Sequence, residues 1–231
     1  MTQTYGQFCP VAMAAEFVCT RWTVLIIREL AFGTTRFNDL RRGLTRISPA
    51  LLSQRLKEFE AAGIVERRPA PGEPNISEYH LTQSGRELWP IVQGLGEWGQ
   101  RWIETETSLQ QLDAQLLMWD MRRNLNPEPM PKRRSTIQFL YPEQTPALRT
   151  WWMVVTPGED VDLCQIDPGH DVDLYVSSDL RTMTSIWMGY ESVKKARDAE
   201  RLHLTGDKHL AGDMQTWLGL SSLAKVERMV S

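Results

Sequence analysis

The sequence predicts an α+β protein in two parts, and three observations predict it. Between Arg36 and Thr82 a short helical stretch, a turn, a capped helix and a hairpin follow one another, the element order of a winged helix-turn-helix module. Beyond residue 131 short runs with a period of two take over, and helical runs then return, the pattern of helices covering one face of a largely antiparallel sheet. Between these halves Pro127, Pro129 and Pro131 break the chain. The expected division is 1–105 for a DNA-binding domain, 106–131 for a helical connector and 132–231 for an α+β domain.

The capped helix has clear start and stop signals. Ser48 can accept from the free N–H groups of a first turn, Pro49 is pre-set for the first helical position, and Gly63 follows the last periodic residue. Leu52, Leu56 and Phe59 recur at spacings of four and three, which puts them on one buried face. The opposite face carries Ala50, Ser53, Gln54 and Lys57, small, hydrogen-bonding and basic residues near the helix N-terminus, where a recognition helix meets base edges; Gln54 has the donor and acceptor to pair with adenine. With Ser48 and Pro49 they form the expected DNA-reading set.

Upstream, Phe37, Leu40 and Leu44 form a helical stripe in a segment that also carries Arg41 and Arg42, and Thr45 to Ile47 makes the turn. Downstream, Ile64 and Val65 begin a strand into Arg67 and Arg68, the run PAPGEPN is expected to end it, and Tyr79 and Leu81 give the return strand its period of two. Arg41, Arg42, Arg67 and Arg68 are the expected phosphate contacts.

These residues resemble the HxlR-type family of winged-helix transcriptional regulators. The resemblance runs from Cys9-Pro10 through RWTVLIIREL, RFNDLRRGL, ISPALLSQRLKEFEAAGIVERR and YHLTQSGREL to EWGQRW at Trp102, a little under half the chain. It implies a double-stranded DNA partner and a homodimer. In some relatives a cysteine at the matching Cys-Pro position senses oxidants or electrophiles, which makes Cys9 a candidate redox residue; the alternative is a small buried apolar side chain. One departure is Cys19-Thr20-Arg21 before Trp22, where the family more often has a Gly-Gly-basic turn, and this leaves the tightness of that turn open.

At 231 residues, 42% hydrophobic and 24% charged, the chain is long enough for two domains. Its net charge of −3 is unusual for a DNA binder, but from Arg36 to Arg68 eight basic residues face four acidic ones. Phosphate contacts depend on that local excess. No signal-like or membrane-spanning run is present, so a cytoplasmic location is expected. Three cysteines and four histidines show no disulfide or metal spacing, so no metal or cofactor is expected.

From Leu81 a helix places Leu88, Ile91, Val92, Leu95, Trp98 and Trp102 along one side. Palindromic operators are read by two-fold related subunits, so Leu95, Trp98 and Trp102 are the expected dimer contacts. A second helix is expected over Leu109 to Arg123. Strands are expected in STIQFLY, LRTWWMVV, DVDLCQID, DVDLYVSS and LHLTG, with helices around Leu180, Met183 and Trp187 and around Leu210, Met214 and Trp217.

This half, through DVDLYVSSDLRTMTSIWMG and RLHLTGDKHLAGDMQTWLG, resembles the sterol carrier protein-type fold, which implies an apolar cavity between sheet and helices and binding without chemistry. Trp151, Trp152, Met183, Trp187, Met214 and Trp217 are the expected pocket residues, since thioethers and indoles suit an adaptable apolar ligand; Trp151 and Trp152 are adjacent on a strand, so only one can face the helices. A filled core is the alternative. The expected function is a DNA-binding regulator controlled by an apolar or aromatic effector, or else by thiol chemistry at Cys9. An enzyme is not expected, with no catalytic residues: Asp167, His170, Asp171 and Asp173 cluster in and just before PGHDVD, where Asp, Pro and Gly are ordinary turn residues.

Overall fold

The computed structural model describes residues 4–230, and the chain divides into two compact units at Gly96/Glu97. In the first unit Pro10 opens α1 (Pro10–Val18), followed by α2 (Thr23–Ala31), α3 (Phe37–Gly43) and α4 (Pro49–Ala61). The corner between α1 and α2 closes without glycine: Thr20 N–H donates to Phe17 O at 3.2 Å, Thr23 N–H to Thr20 O at 3.0 Å, and Trp22 itself takes the left-handed conformation with φ 77°. Ser48 caps α4, its hydroxyl accepting from Leu51 N–H at 3.2 Å. Leu52, Leu56 and Phe59 are buried with Ile26, Ile27, Leu30, Leu40, Leu44, Ile47, Val65, Leu81 and Val92, which form the first core.

Within this core Glu29 is fully buried. Arg28 Nη2 donates to its carboxylate at 2.8 Å and to Gly43 O at 3.2 Å, and Thr34 Oγ1 donates to Glu29 Oε2 at 3.4 Å. A side chain at Gly43 would collide with the Glu29 carboxylate, so α2 and α3 meet where only glycine fits.

The wing is longer than the sequence reading allows. β1 (Val65–Ala70) and β2 (Glu73–Leu81) pair antiparallel, and Pro69 and Ala70 remain in the strand, leaving Pro71 and Gly72 to turn the chain with Gly72 at φ 73°. A two-stranded ribbon is all edge, so Pro69 can sit where its missing N–H breaks no ladder, and the register slips between Pro69 and Ala70. α5 (Gln83–Trp102) follows and runs across the boundary between the units.

The second unit begins inside α5, so the expected connector 106–131 lies within this unit and contributes to its core. α6 (Thr105–Ser108) is one turn, and α7 (Ala114–Asn124) starts later than expected because Asp113 caps it, accepting from Leu116 N–H at 3.0 Å. Ala114, Leu117, Met118, Met121, Leu125 and Met130 all join the C-terminal core.

Next come β3 (Ser135–Leu140), α8 (Pro146–Arg149), β4 (Thr150–Val155), β5 (Asp162–Cys164), β6 (Leu174–Ser178), α9 (Leu180–Trp187), α10 (Val193–Asp198), β7 (Leu202–Gly206), α11 (Lys208–Gly212) and α12 (Met214–Trp217). The sheet order is β5-β4-β3-β6-β7, antiparallel except for β3 beside β6. Ile137, Phe139, Trp151, Met153, Val155, Leu174 and Val176 share one face with residues of α7, α9, α11 and α12. The expected last helix is two short ones, broken at Asp213, where the backbone leaves helical geometry after Gly212.

Glu29→Ala leaves Arg28 and the Thr34 hydroxyl without their carboxylate partner and should destabilise the first unit by about 3–5 kcal/mol, measured as faster native-state hydrogen exchange of α2 amides. Gly43→Ala should cost about 1–3 kcal/mol alone and much less beside Glu29→Ala, because the collision partner is then gone.

Candidate nucleic-acid interface

The core-facing side of α4 fixes what its other side presents. With Leu52, Leu56 and Phe59 buried, Ser48, Pro49, Ala50, Gln54 and Lys57 are exposed and Ser53 is half-buried. Spacings of three and four align Ala50, Ser53, Gln54 and Lys57 in one stripe. Gln54 is held along the helix, its Nε2 donating to Glu58 Oε1 at 2.9 Å, and Arg55 donates to Glu58 Oε2 at 2.6 Å. Burial alone would raise the Glu58 carboxyl; the bonds from Gln54 and Arg55 and the Arg55 charge outweigh it and hold the carboxyl below its ordinary value. Gln54 must therefore leave one intrahelical bond to read a base.

Arg41, Arg42, Arg67 and Arg68 are all exposed. Arg42 meets Asp39 at 3.3 Å and Arg68 pairs with Glu66, but exposed pairs of this kind are worth at most about 1 kcal/mol and yield easily to a phosphate. Sequence reasoning missed the role of Arg36. Its Nη2 lies 2.5 Å from Glu73 and its Nε 3.5 Å from Glu78, and Tyr79 N–H donates to Thr35 O at 2.9 Å, which ties the start of α3 to the wing. Only the hairpin's register brings those partners together, so no local signal announces them.

The other expected residues are placed as follows. On α5, Leu95, Trp98 and Trp102 are 52%, 60% and 46% exposed, and Ile91 in the same stripe 54%. Cys9 stands at the α1 N-terminus, where the nearby backbone N–H groups of Ala12 and Val11 hold its thiol below the ordinary range against a smaller opposing effect of burial. Trp151, Met183, Trp187, Met214 and Trp217 pack together in the C-terminal core, whereas Trp152 lies on the other face of β4. The indoles of Trp151 and Trp217 donate to Leu148 O and Leu210 O, each at 2.7 Å. In the DPGHDVD loop Asp173 binds Arg133 at 2.7 Å and accepts from Thr136 N–H, and Asp167 accepts from Gly169 N–H. These two carboxylates thus hold turns. Among the described residues no cluster has the makings of a metal site, and no single helix is long and apolar enough to cross a membrane.

A capped helix with an exposed polar stripe, a preceding helix across a tight turn and an arginine-bearing hairpin define a winged helix-turn-helix protein. Comparison with known proteins agrees. Residues 17–107 match the family described as HxlR-like helix-turn-helix. The uncharacterized HTH-type transcriptional regulator YvaP of Bacillus subtilis is 36% identical over 100 residues, 43% of this chain and 93% of that protein. YybR of the same organism is 37% identical over 92 residues, 40% of this chain and 74% of the relative. Among solved structures, the reduced form of the regulator YodB from B. subtilis is 33% identical and covers 42% of this chain and 97% of its own, with a TM-score of 0.36. The chain therefore belongs to the HxlR-like helix-turn-helix family of transcriptional regulators, through its N-terminal part.

Replacing Arg41, Arg42, Arg67 or Arg68 by Ala should weaken binding to all DNA sequences alike and reduce the slope of log K against log salt by about one per lost contact. Gln54→Ala should instead cost roughly 1–3 kcal/mol of discrimination at one base pair. Equal losses on operator and random DNA, in titrations at several salt concentrations, would remove Gln54 from base reading.

Proposed function

We propose that the protein is a homodimeric DNA-binding regulator whose C-terminal domain, of the sterol carrier protein type, admits an apolar or aromatic effector. The observation that carries the DNA-binding reading is the stripe Ala50, Ser53, Gln54 and Lys57, left clear of the core at the capped end of α4 and accompanied by exposed arginines on α3 and the wing. The exposed apolar stripe Ile91, Leu95, Trp98 and Trp102 supports a homodimer, since large aromatic groups are rarely left in water along a whole helix face. A two-fold dimer also matches a palindromic operator.

Support for the effector is the make-up of the C-terminal interior. One sheet face and its helices enclose Met118, Met121, Met153, Met183 and Met214 with three indoles, and Tyr141 donates its hydroxyl to Met118 Sδ at 3.1 Å. Unbranched thioethers can move aside to admit a guest. In this reading Trp151, Met183, Trp187, Met214 and Trp217 line the opened space, and Trp152, on the opposite face, is not among them.

A second reading has an observation of its own. The first-turn N–H groups that lower the Cys9 thiol make it the reactive cysteine of a thiol-responsive regulator.

Trp98→Asp should convert a sedimenting dimer to a monomer with poor operator affinity, and a wild-type monomer at micromolar concentration would contradict the homodimer. An apolar aromatic effector should quench tryptophan fluorescence saturably and raise the melting temperature, and Met183→Trp should abolish the quenching without loss of DNA binding. Under the second reading Cys9→Ser abolishes release from DNA by mild oxidants while Cys19→Ser and Cys164→Ser do not.

A further inference from the structure

The end of α5 is built differently from an ordinary helix end. The last carbonyls of any helix have no N–H four residues further on, and they usually turn to water. Here the C-terminal tail takes them. Arg228 Nη1 donates to Gln100 O at 3.0 Å and Nη2 to Ile103 O at 2.8 Å, while Met229 N–H donates to Arg101 O at 2.9 Å. A guanidinium at a helix C-terminus also meets the negative end of the helix dipole.

Gln100 makes this end a junction. It is 5% exposed although polar, and both ends of its amide are used: Nε2 donates to Met188 O at 3.3 Å, and Oε1 accepts from the Tyr190 hydroxyl at 3.2 Å. Arg228 stacks on the same Tyr190 ring, 4.5 Å from its centroid. The tail is fixed to this corner as well, since Ser221 N–H donates to Trp187 O at 2.9 Å and Ala224 packs against Gly189. The corner Trp187–Tyr190 directly continues α9, which carries Met183 and Trp187.

We infer that Gln100 and Arg228 are positioning residues: they clasp the last turn of α5 to the corner after α9, and so set the presentation of Trp98 and Trp102 by the state of the C-terminal core. The clasp gives a physical route from that core to the exposed stripe. Its effect on assembly rests on the homodimer proposed above; the clasp itself does not.

Arg228→Ala tests it in the whole 231-residue chain, since Arg228 is half-buried and lies outside the hydrophobic core. Two measurements are needed, hydrogen exchange of residues 97–105 by mass spectrometry and the dimer dissociation constant by sedimentation. Arg228→Ala should speed exchange at Trp102 and Ile103 about tenfold and weaken dimerisation about tenfold, with exchange in β4 unchanged. Arg228→Lys, which keeps the charge but lacks the planar guanidinium that meets both carbonyls and stacks on Tyr190, should fall between. Unchanged exchange at the end of α5 would overturn the clasp. Faster exchange with an unchanged dissociation constant would overturn its link to Trp98 and Trp102. A monomeric wild type would instead sink the homodimer reading, and the exchange comparison would still decide the clasp.

Discussion

The helix-turn-helix unit depends on a carboxylate taken out of water. Glu29 sits in an otherwise apolar core, and removing a charge from water costs several kcal/mol unless partners repay it. Arg28 and Thr34 repay it, and Arg28, which also donates to Gly43 O, fixes where α3 lies against α2. An apolar pair of the same volume would pack as well. It would not specify the position of α3, since apolar contacts tolerate sliding and a forked guanidinium bond to two acceptors does not. The turn and α4 follow from α3, so the direction of the exposed polar stripe on α4 is anchored at Glu29.

Charge in this protein works locally. The chain is acidic as a whole, but the segment from Arg36 to Arg68 is basic, and it holds the exposed face of α4 and the start of the wing's first strand. Salt screens charges beyond about 10 Å at ordinary ionic strength, so a phosphate at the wing feels Arg67 and Arg68 far more than a distant excess of carboxylates. Arg36 uses its charge differently. Held by Glu73 and Glu78, it ties the return strand of the wing to the start of α3.

What the sequence made legible was what local chemistry determines. Ser48 and Pro49 announce the start of α4, Gly63 its end, and the period of Leu52, Leu56 and Phe59 its buried face. The alternation in β4 separates Trp151 from Trp152 just as a strand must. The misplaced boundaries came from residues with two possible roles. Pro69 read as a strand breaker but lies on a ribbon edge, Asp113 read as helix interior but caps α7, and Gly212-Asp213 read as helical but splits the last helix. The clasp was invisible for another reason: Gln100 meets partners 90 and 128 residues away, and nothing near Gln100 in the chain signals them.

The parallel pairing of β3 with β6 has a consequence for how the second unit comes to exist. β3, β4 and β5 form a meander of neighbours in sequence and can pair as soon as they are made. β6 cannot join by a hairpin, because it must run alongside β3 after the chain has left the opposite edge of the sheet at β5. Until then the inner edge of β3 offers unpaired N–H and C=O groups beside Ile137 and Phe139, and closing that edge waits on a loop whose entropy must be spent first. The central strand of the finished sheet is thus an open edge during synthesis. The half-made domain is the species most exposed to pairing with another copy of itself, and the crossover at residues 165–173 sets how long that exposure lasts.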